Sequence, residues 1–182
     1  WFAHKNPQNG FYRPIQGAML ALSQAWFGGD NRFLHAVQIL LHGAMGSVIF
    51  WEVRRFGFSL TQALVAGVLM VVSQGATHAV LSNDTFSQLL GTLTGVSAVL
   101  LIGLVLKDSS RSVLTHPMAW SALLLVGISL LSKESSAIFP AIIVAMFWFK
   151  TVWNTPRALV AWTRFLFQAL PFVAVTLLYF LV

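Results

Sequence analysis

Polar residues that could do chemistry stand out in this sequence because most of their neighbours are apolar. The strongest case is Ser132-Lys133-Glu134, which interrupts a long apolar stretch. Charged residues between two apolar halves are costly to bury, so they are hypotheses for function by default. Lys133 could hold a phosphate as a compact point charge, helped by the amides at the start of the next helix. The structural alternative is a buried ion pair, which often adds no net stability.

A second polar set lies within the first apolar run. His35, Gln38 and His42 are spaced so that they share one face of a helix, and in lipid such groups must face protein or water. They form either a polar stripe that descends from a substrate cavity, with His35 nearest its mouth, or interhelical hydrogen bonds that fix packing. For His42 the packing interpretation is favoured. A metal site is disfavoured, because the two histidines lie roughly 10 Å apart along a helix and no nearby carboxylate completes the ligands.

Two further clusters carry weaker signals. Arg13, which stands before a proline, could clamp a phosphate or carboxylate, or could anchor the chain at the membrane surface. Gln74 and His78 stand near the outer end of the second apolar run, and Asp84 follows them. Asp84 also suits the N-cap of the next helix, but capping does not explain Gln74 and His78.

The elements that must position these residues are membrane helices. Of the 182 residues, 57% are apolar and 9% are charged, whereas soluble domains carry about 25% charged residues. The absence of cysteine excludes disulfides, thiolate metal sites and cysteine nucleophiles. The net charge of +6 is spread singly or in pairs between apolar runs, as orientation signals are, so it does not indicate nucleic-acid binding.

The predicted fold class is all-α, a polytopic transmembrane helical bundle of about six spans that is a fragment of a longer chain. A non-cytoplasmic segment, 1–33, with interfacial stretches precedes the spans. Apolar runs near 20 residues cross a hydrocarbon core, and they are expected at 34–55, 60–81, 85–106, 118–131, 137–150 and 165–182. The fourth and fifth runs are short, and we expect two helices that meet at the polar turn rather than one long bent helix.

Small residues repeat at helical spacing in two of these spans. Ser87, Gly91 and Gly95 form one stripe, and Ala63 with Gly67 forms another. Small residues let helix backbones approach closely. The stripes therefore predict close helix packing.

The basic residues predict the orientation. Seven of them fall in the loops 52–59, 107–117 and 150–164, against four on the other side, so the first side is expected to be cytoplasmic. The predicted location is the bacterial inner membrane. Arg13, His35, Asp84 and Lys133 would then open onto one shared aqueous hollow at the outer leaflet.

Taken in order along the chain, the polar segments resemble a known pattern. They are Tyr12-Arg13-Pro14-Ile15, Phe27-Gly28-Gly29-Asp30, His35-Ala-Val-Gln38-Ile-Leu-Leu-His42, Arg54-Arg55-Phe56-Gly57 and Leu130-Leu131-Ser132-Lys133-Glu134-Ser135, with Pro140 after them. This order resembles the membrane part of the tetratricopeptide-repeat transmembrane O-mannosyltransferases and their bacterial relatives, within the GT-C superfamily. The resemblance covers roughly residues 9–140. Its most specific parts are the Ser-Lys-Glu segment and the two spaced histidines.

The resemblance implies transfer of a sugar from a polyprenyl-phosphate carrier to an acceptor on the non-cytoplasmic side. Cationic residues would hold the lipid phosphate, which suits a phosphate leaving group. The substrate-binding candidates are Arg13, His35, Gln38, His78, Lys133 and Glu134. The catalytic base would be a carboxylate upstream of Trp1, with Asp84 as the candidate inside this sequence. By motif match, His42 would also lie beside the cavity of such an enzyme.

The implied partners are the lipid bilayer, the polyprenyl-phosphate sugar and other membrane subunits, without nucleic acid. No cofactor follows from the residues, and a divalent metal stays an open alternative. The sequence departs from the family pattern at Gln38, where asparagine is usual, and at Ser73-Gln74 and Thr77-His78, where histidine-proline and threonine-glutamate are usual.

Two other functions stay open. One is a catalytically degenerate relative that serves as a scaffold subunit of a larger membrane complex. The missing glutamate and the aromatic-rich surface favour this alternative. The other is a transporter or channel, which predicts further charged residues inside spans and discontinuous helices in paired positions. Only the Ser-Lys-Glu segment answers to that expectation.

Overall fold

A computed structural model of the chain describes residues 13–28, 30–73, 86–107, 113–153 and 159–181. All regular structure within these ranges is helical, which confirms the predicted all-α class. The described α-helices are α1 (Pro14–Phe27), α2 (Asn31–Arg55), α3 (Leu60–Val72), α4 (Phe86–Lys107), α5 (Pro117–Ser132), α6 (Ile138–Thr151) and α7 (Leu159–Leu181). Short 3-10 turns at Val113–Thr115 and Glu134–Ala137 precede α5 and α6.

Three of these helices, α2, α4 and α7, are long and apolar enough to cross a membrane by length and composition. The helices α3 and α5 are apolar but shorter. Large apolar side chains such as Leu40 and Trp51 are mostly exposed, as expected of helix faces that meet lipid rather than water. The chain is therefore an α-helical integral membrane protein.

Helix α1 lies in the segment 1–33, for which the sequence predicted interfacial stretches, and its 14 residues are too few for a span. One helix begins before its predicted span. Helix α7 begins at Leu159 instead of 165. Arg164 is exposed, and a long basic side chain at a helix end can extend to water without ending the helix. The second predicted span, 60–81, is described as helix through Val72.

The chain divides into two compact units, Trp1–Leu93 and Thr94–Val182. In the first unit, Gly28 ends α1 in the left-handed conformation, with φ of 61°, and donates its N–H to the Ser23 carbonyl. The Asp30 side chain then accepts a hydrogen bond from the Arg32 N–H, 2.9 Å long, and starts α2. These are ordinary helix stop and start signals, so they explain the glycine and the aspartate in this segment without a ligand.

Helices α2 and α3 form an antiparallel hairpin with equally clear local signals. Gly57, with φ of 87°, ends α2, and the N–H groups of Gly57 and Phe58 bond back to carbonyls in its last turn. This pattern is a Schellman motif. Ser59 and Gln62 then form a reciprocal capping box that starts α3. The loop is therefore short and defined, which brings the two helices side by side.

The hairpin is held together by a close helix crossing. A Cβ atom placed on Gly67 would lie 2.9 Å from the Gly46 carbonyl oxygen, and one placed on Gly46 would lie 2.6 Å from a Val71 methyl group. Gly67 and its stripe neighbour Ala63 are buried. The predicted role of this small-residue stripe in close packing is confirmed.

In the second unit, α4 and α6 are in contact and run in the same direction. Phe139 of α6 packs over Gly95 of α4, and a Cβ atom on Gly103 would lie 3.6 Å from the Met146 methyl carbon. Because both pairs ascend together along the two helices, the helices are parallel. Their C-terminal ends therefore lie toward the same side.

The core of the second unit combines apolar side chains from α4, the first 3-10 turn, α5, α6 and α7: Ala98, Ile102, Val105, Val113, Ala119, Ala122, Val126, Leu130, Ile143, Phe147, Ala169 and Phe172. Phe147 and Phe172 contact each other with ring centroids 5.7 Å apart. Gly95, over which Phe139 packs, has the close-packing role predicted for the second small-residue stripe. Ser87 and Gly91 of that stripe are buried.

Candidate functional site

The Ser-Lys-Glu segment is a break between two helices. Helix α5 ends at Ser132, and Lys133 has an extended backbone with φ of −157° and ψ of 135° before the 3-10 turn begins. The Lys133 N–H bonds to the Ser129 carbonyl over 3.1 Å, and its own carbonyl accepts from the Ser136 N–H over 3.0 Å. The prediction of two helices meeting at a polar turn is confirmed, and the backbone of the break is hydrogen-bonded on both sides.

Buried hydroxyl groups surround this break. Ser129 and Ser132 are fully buried and Ser136 is 3% exposed, while the Ser132 hydroxyl donates to the Ile128 carbonyl over 2.7 Å. The side chains of Lys133 and Glu134 are half-buried. An ammonium and a carboxylate are thus held partly out of water between two apolar helices. In such surroundings their electrostatic interactions with a ligand are stronger than in bulk water.

The three polar residues of the α2 stripe differ in how deeply they are buried. Gln38 is fully buried and His42 is 5% exposed, on the same buried face as Leu34 and Met45. His35 is half-buried beside them. The structure therefore brings Gln38 and His42 into the protein interior and leaves His35 nearer its surface.

His42 joins the two helices of the hairpin. Its Nε2 atom lies 2.8 Å from the Val71 carbonyl oxygen in the last turn of α3. A carbonyl only accepts hydrogen bonds, so Nε2 carries the proton. Nδ1 is buried and has no hydrogen-bond partner among the described residues. The packing interpretation of His42 is confirmed.

Arg13 lies directly before α1, whose first residue is Pro14. Its side chain is half-buried, and its carbonyl accepts from the Gly17 N–H over 3.2 Å. Arg13 and His35 belong to the first unit and Lys133 to the second, so the shared hollow stays a prediction. Gln74, His78 and Asp84 lie outside the described residues. Within the described ranges, no group of three or more His, Asp or Glu side chains is arranged to hold a metal ion.

Sequence reasoning did not single out Gln168, a buried polar residue in α7. Its side chain is 8% exposed, and its Oε1 atom has no hydrogen-bond partner among the described residues. Pro171 follows inside the same helix, and its missing N–H leaves the Phe167 carbonyl without the usual intrahelical donor. The sequence signal for this position was an amide side chain close to a proline within an apolar run, because polar groups in membrane spans need hydrogen-bond partners.

Comparison of the chain with protein-family models, curated proteins and solved structures finds no match. The fold and the site define a class: an α-helical integral membrane protein with a charged turn between two apolar helices.

Proposed function

We propose that the protein is a GT-C-like membrane glycosyltransferase, which transfers a sugar from a polyprenyl-phosphate carrier to an acceptor on the non-cytoplasmic side of a bundle of about six spans. The observation that carries the proposal is the Lys133-Glu134 pair, held half-buried at a break between two apolar helices. Such a pair is costly inside a membrane protein unless it is used.

The chemistry of the donor matches this turn. When the sugar leaves its carrier, negative charge develops on the lipid phosphate, and a fixed cation in a site of low polarity stabilises that charge. Lys133 is the cation of the turn, and Glu134 orients the ammonium group or accepts a sugar hydroxyl. The apolar helices on either side, α5 and α6, keep the turn beside the bilayer in which the polyprenyl chain is dissolved.

The residues of the first unit supply the remaining parts of the proposed site. Arg13 is a second cation for the phosphate, and His35, which is half-buried nearer the protein surface, offers a polar group to the sugar. By the resemblance, the base that activates the acceptor is a carboxylate, and Asp84 is the candidate inside this sequence.

The parallel course of α4 and α6 supports the proposed orientation. Lys107 and Lys150 stand at the C-terminal ends of these two helices, in loops that the distribution of basic residues predicts to be cytoplasmic. The Lys133-Glu134 turn precedes α6 and so lies toward the opposite end of that helix, the side where the acceptor is proposed to be.

The test is sugar transfer from radiolabelled polyprenyl-phosphate sugars in membranes that contain the protein. We expect Lys133→Ala and Arg13→Ala each to lower transfer by on the order of 100-fold, the cost of losing one preorganised charge-stabilising group. Lys150→Ala is the matched control, because Lys150 is exposed at the other end of α6, and it should keep wild-type activity.

Unchanged transfer in both Lys133→Ala and Arg13→Ala, with all variants inserted equally, would remove the assignment of the phosphate site. A wild-type protein that transfers no sugar from any such donor, yet is recovered only within a larger membrane assembly, would instead establish the scaffold alternative.

A further inference from the structure

An open apolar groove of about 420 Å³ runs along the α2–α3 hairpin. Its α2 wall extends from Gly43 to Trp51 and its α3 wall from Leu64 to Val72. The wall from Gly43 to Trp51 is about 12 Å long at 1.5 Å per residue. The groove lies wholly within the first unit, and none of its lining residues belongs to the proposed transferase site.

Small residues make the groove and leave it apolar. Gly43, Gly46 and Gly67 provide no side chains, so the two backbones approach closely and a channel remains beside them. Ser47 is a polar residue in its lining, and the Ser47 hydroxyl donates to the Gly43 carbonyl of its own helix over 3.0 Å. The wall therefore offers little to a polar ligand and suits a hydrocarbon chain.

A cation lies about one helical turn beyond the groove lining, on the side of the hairpin loop. Gly43, Ser47 and Phe50 follow one another on one face of α2, and Arg54 is the next position of that face. Arg54 donates one guanidinium N–H to the Phe58 carbonyl over 2.8 Å, which leaves further donors because the group has five.

The charge at this end of the groove is unbalanced. Among the described residues, Glu52 pairs with Arg55 over 2.9 Å, and Arg54 has no such carboxylate. The surface thus offers one exposed positive charge at one end of a channel that is otherwise apolar.

We propose that this groove binds an anionic phospholipid, with its phosphate on Arg54 and an acyl chain along the wall from Trp51 to Gly43. The asymmetry of the groove favours this occupant, because a molecule with one anionic head and one apolar tail matches a single cation followed by an apolar channel. Basic residues beside transmembrane helices bind the head groups of anionic lipids in this way. A helix of about 10 Å diameter from a partner protein would match the apolar wall but not the terminal charge.

The test is lipid binding to the purified protein by native mass spectrometry, with phosphatidylglycerol and phosphatidylcholine of identical acyl chains as probes. The wild-type protein should retain phosphatidylglycerol more tightly than phosphatidylcholine. Arg54→Gln should weaken phosphatidylglycerol binding about fivefold and leave phosphatidylcholine unchanged, since one basic residue contributes on the order of 1 kcal/mol to such attraction.

Gly43→Leu tests the channel. A Cβ atom at Gly43 meets nothing within 4 Å, so leucine should fill the groove without disturbing the helix crossing. We expect it to weaken both lipids by roughly tenfold, the loss of about two methylene groups of contact. Gly17→Leu is the matched control, because Gly17 is exposed on α1 and has equally open surroundings; it should bind both lipids normally.

Three results would overturn the proposal. They are unchanged lipid retention in Gly43→Leu at an unchanged melting temperature, an anionic preference that survives Arg54→Gln, and a change of oligomeric state in Gly43→Leu without a change in lipid retention. The last result would show that a second copy of the chain fills the groove.

Discussion

His42 shows how a polar residue deep in an apolar helix can be explained by its neighbours rather than by a substrate. The last four carbonyls of any helix lack intrahelical donors, and Val71 is in the last turn of α3. The imidazole of His42 supplies the missing donor across the hairpin. One hydrogen bond therefore gives a partner both to the histidine N–H and to a carbonyl at the end of α3.

Replacing His42 by leucine tests this bond. The substitution keeps most of the volume but leaves the Val71 carbonyl without its donor, so we expect His42→Leu to lower the free energy of unfolding by roughly 0.6–2 kcal/mol, the range of interhelical hydrogen bonds in membranes. Unfolding by denaturing detergent titration measures it. Ser47→Ala is the control, because the Ser47 hydroxyl donates to the Gly43 carbonyl of its own helix and, within the described ranges, to no other helix. A His42→Leu protein as stable as this control would contradict the assignment.

The charged turn could be located from the sequence because Lys133 and Glu134 stand between two apolar runs, where charges are rare. The side chains that surround the turn could not be predicted from the sequence. The burial of Ser129 and Ser136 on either side depends on how α5 and α6 pack, and Gln168 is buried by contacts that no local pattern encodes. The sequence therefore predicts where the charged turn lies in the chain, but it does not predict which side chains surround the turn.

The α2–α3 hairpin is the element most completely specified by local sequence. Its glycine stop and its Ser-Gln capping box lie within a few residues, and each satisfies backbone groups that a helix end leaves open. The crossing of Gly46 over Gly67 then fixes the distance between the two helices. Local signals determine that the hairpin forms, and the glycines determine how tightly it closes.

Adding one methyl group at the crossing tests its tightness. In Gly67→Ala the new Cβ atom would lie 2.9 Å from a backbone oxygen, which cannot move without separating the helices. We expect a loss of about 1–3 kcal/mol in the free energy of unfolding, the usual cost of overpacking. The measurement is again detergent-induced unfolding of the purified protein.

The matched control is Gly43→Ala on the partner helix, where the new methyl group meets nothing within 4 Å. Alanine favours helix over glycine by up to about 1 kcal/mol, so this variant should be as stable as the wild type or more stable. Equal losses in Gly67→Ala and Gly43→Ala would mean that the crossing is looser than described.

Across the second unit, the parallel course of α4 and α6 determines which loops share a membrane side. Trp148 and Trp153 contact each other near Lys150, with ring centroids 5.4 Å apart, and Trp120 donates its indole N–H to the Leu114 carbonyl at the start of α5. Tryptophans with polar partners collect at membrane interfaces. They mark the ends of α5 and α6 that lie away from the charged turn.

Cysteine labelling tests this arrangement with a clean background, because the chain contains no cysteine. We expect Lys107→Cys and Lys150→Cys to react with a membrane-impermeant maleimide in vesicles of one orientation. Ser135→Cys, at an exposed position of the charged turn, should react in vesicles of the opposite orientation. Labelling of all three variants from the same side would rule out the predicted alternation of spans.

The sequence alone determined the class of this protein, because apolar runs near the thickness of a bilayer and scarce charges leave membrane helices as the stable solution. It also determined the break at Lys133 and the hairpin at Gly57, since both are local consequences of charge and backbone conformation. Only the tertiary structure decided that His42 bonds across the hairpin, that α4 and α6 run in parallel, and that an apolar groove runs along the hairpin. Those features depend on contacts between residues distant in the chain, and a helical pattern fixes which face is polar but not what that face will meet.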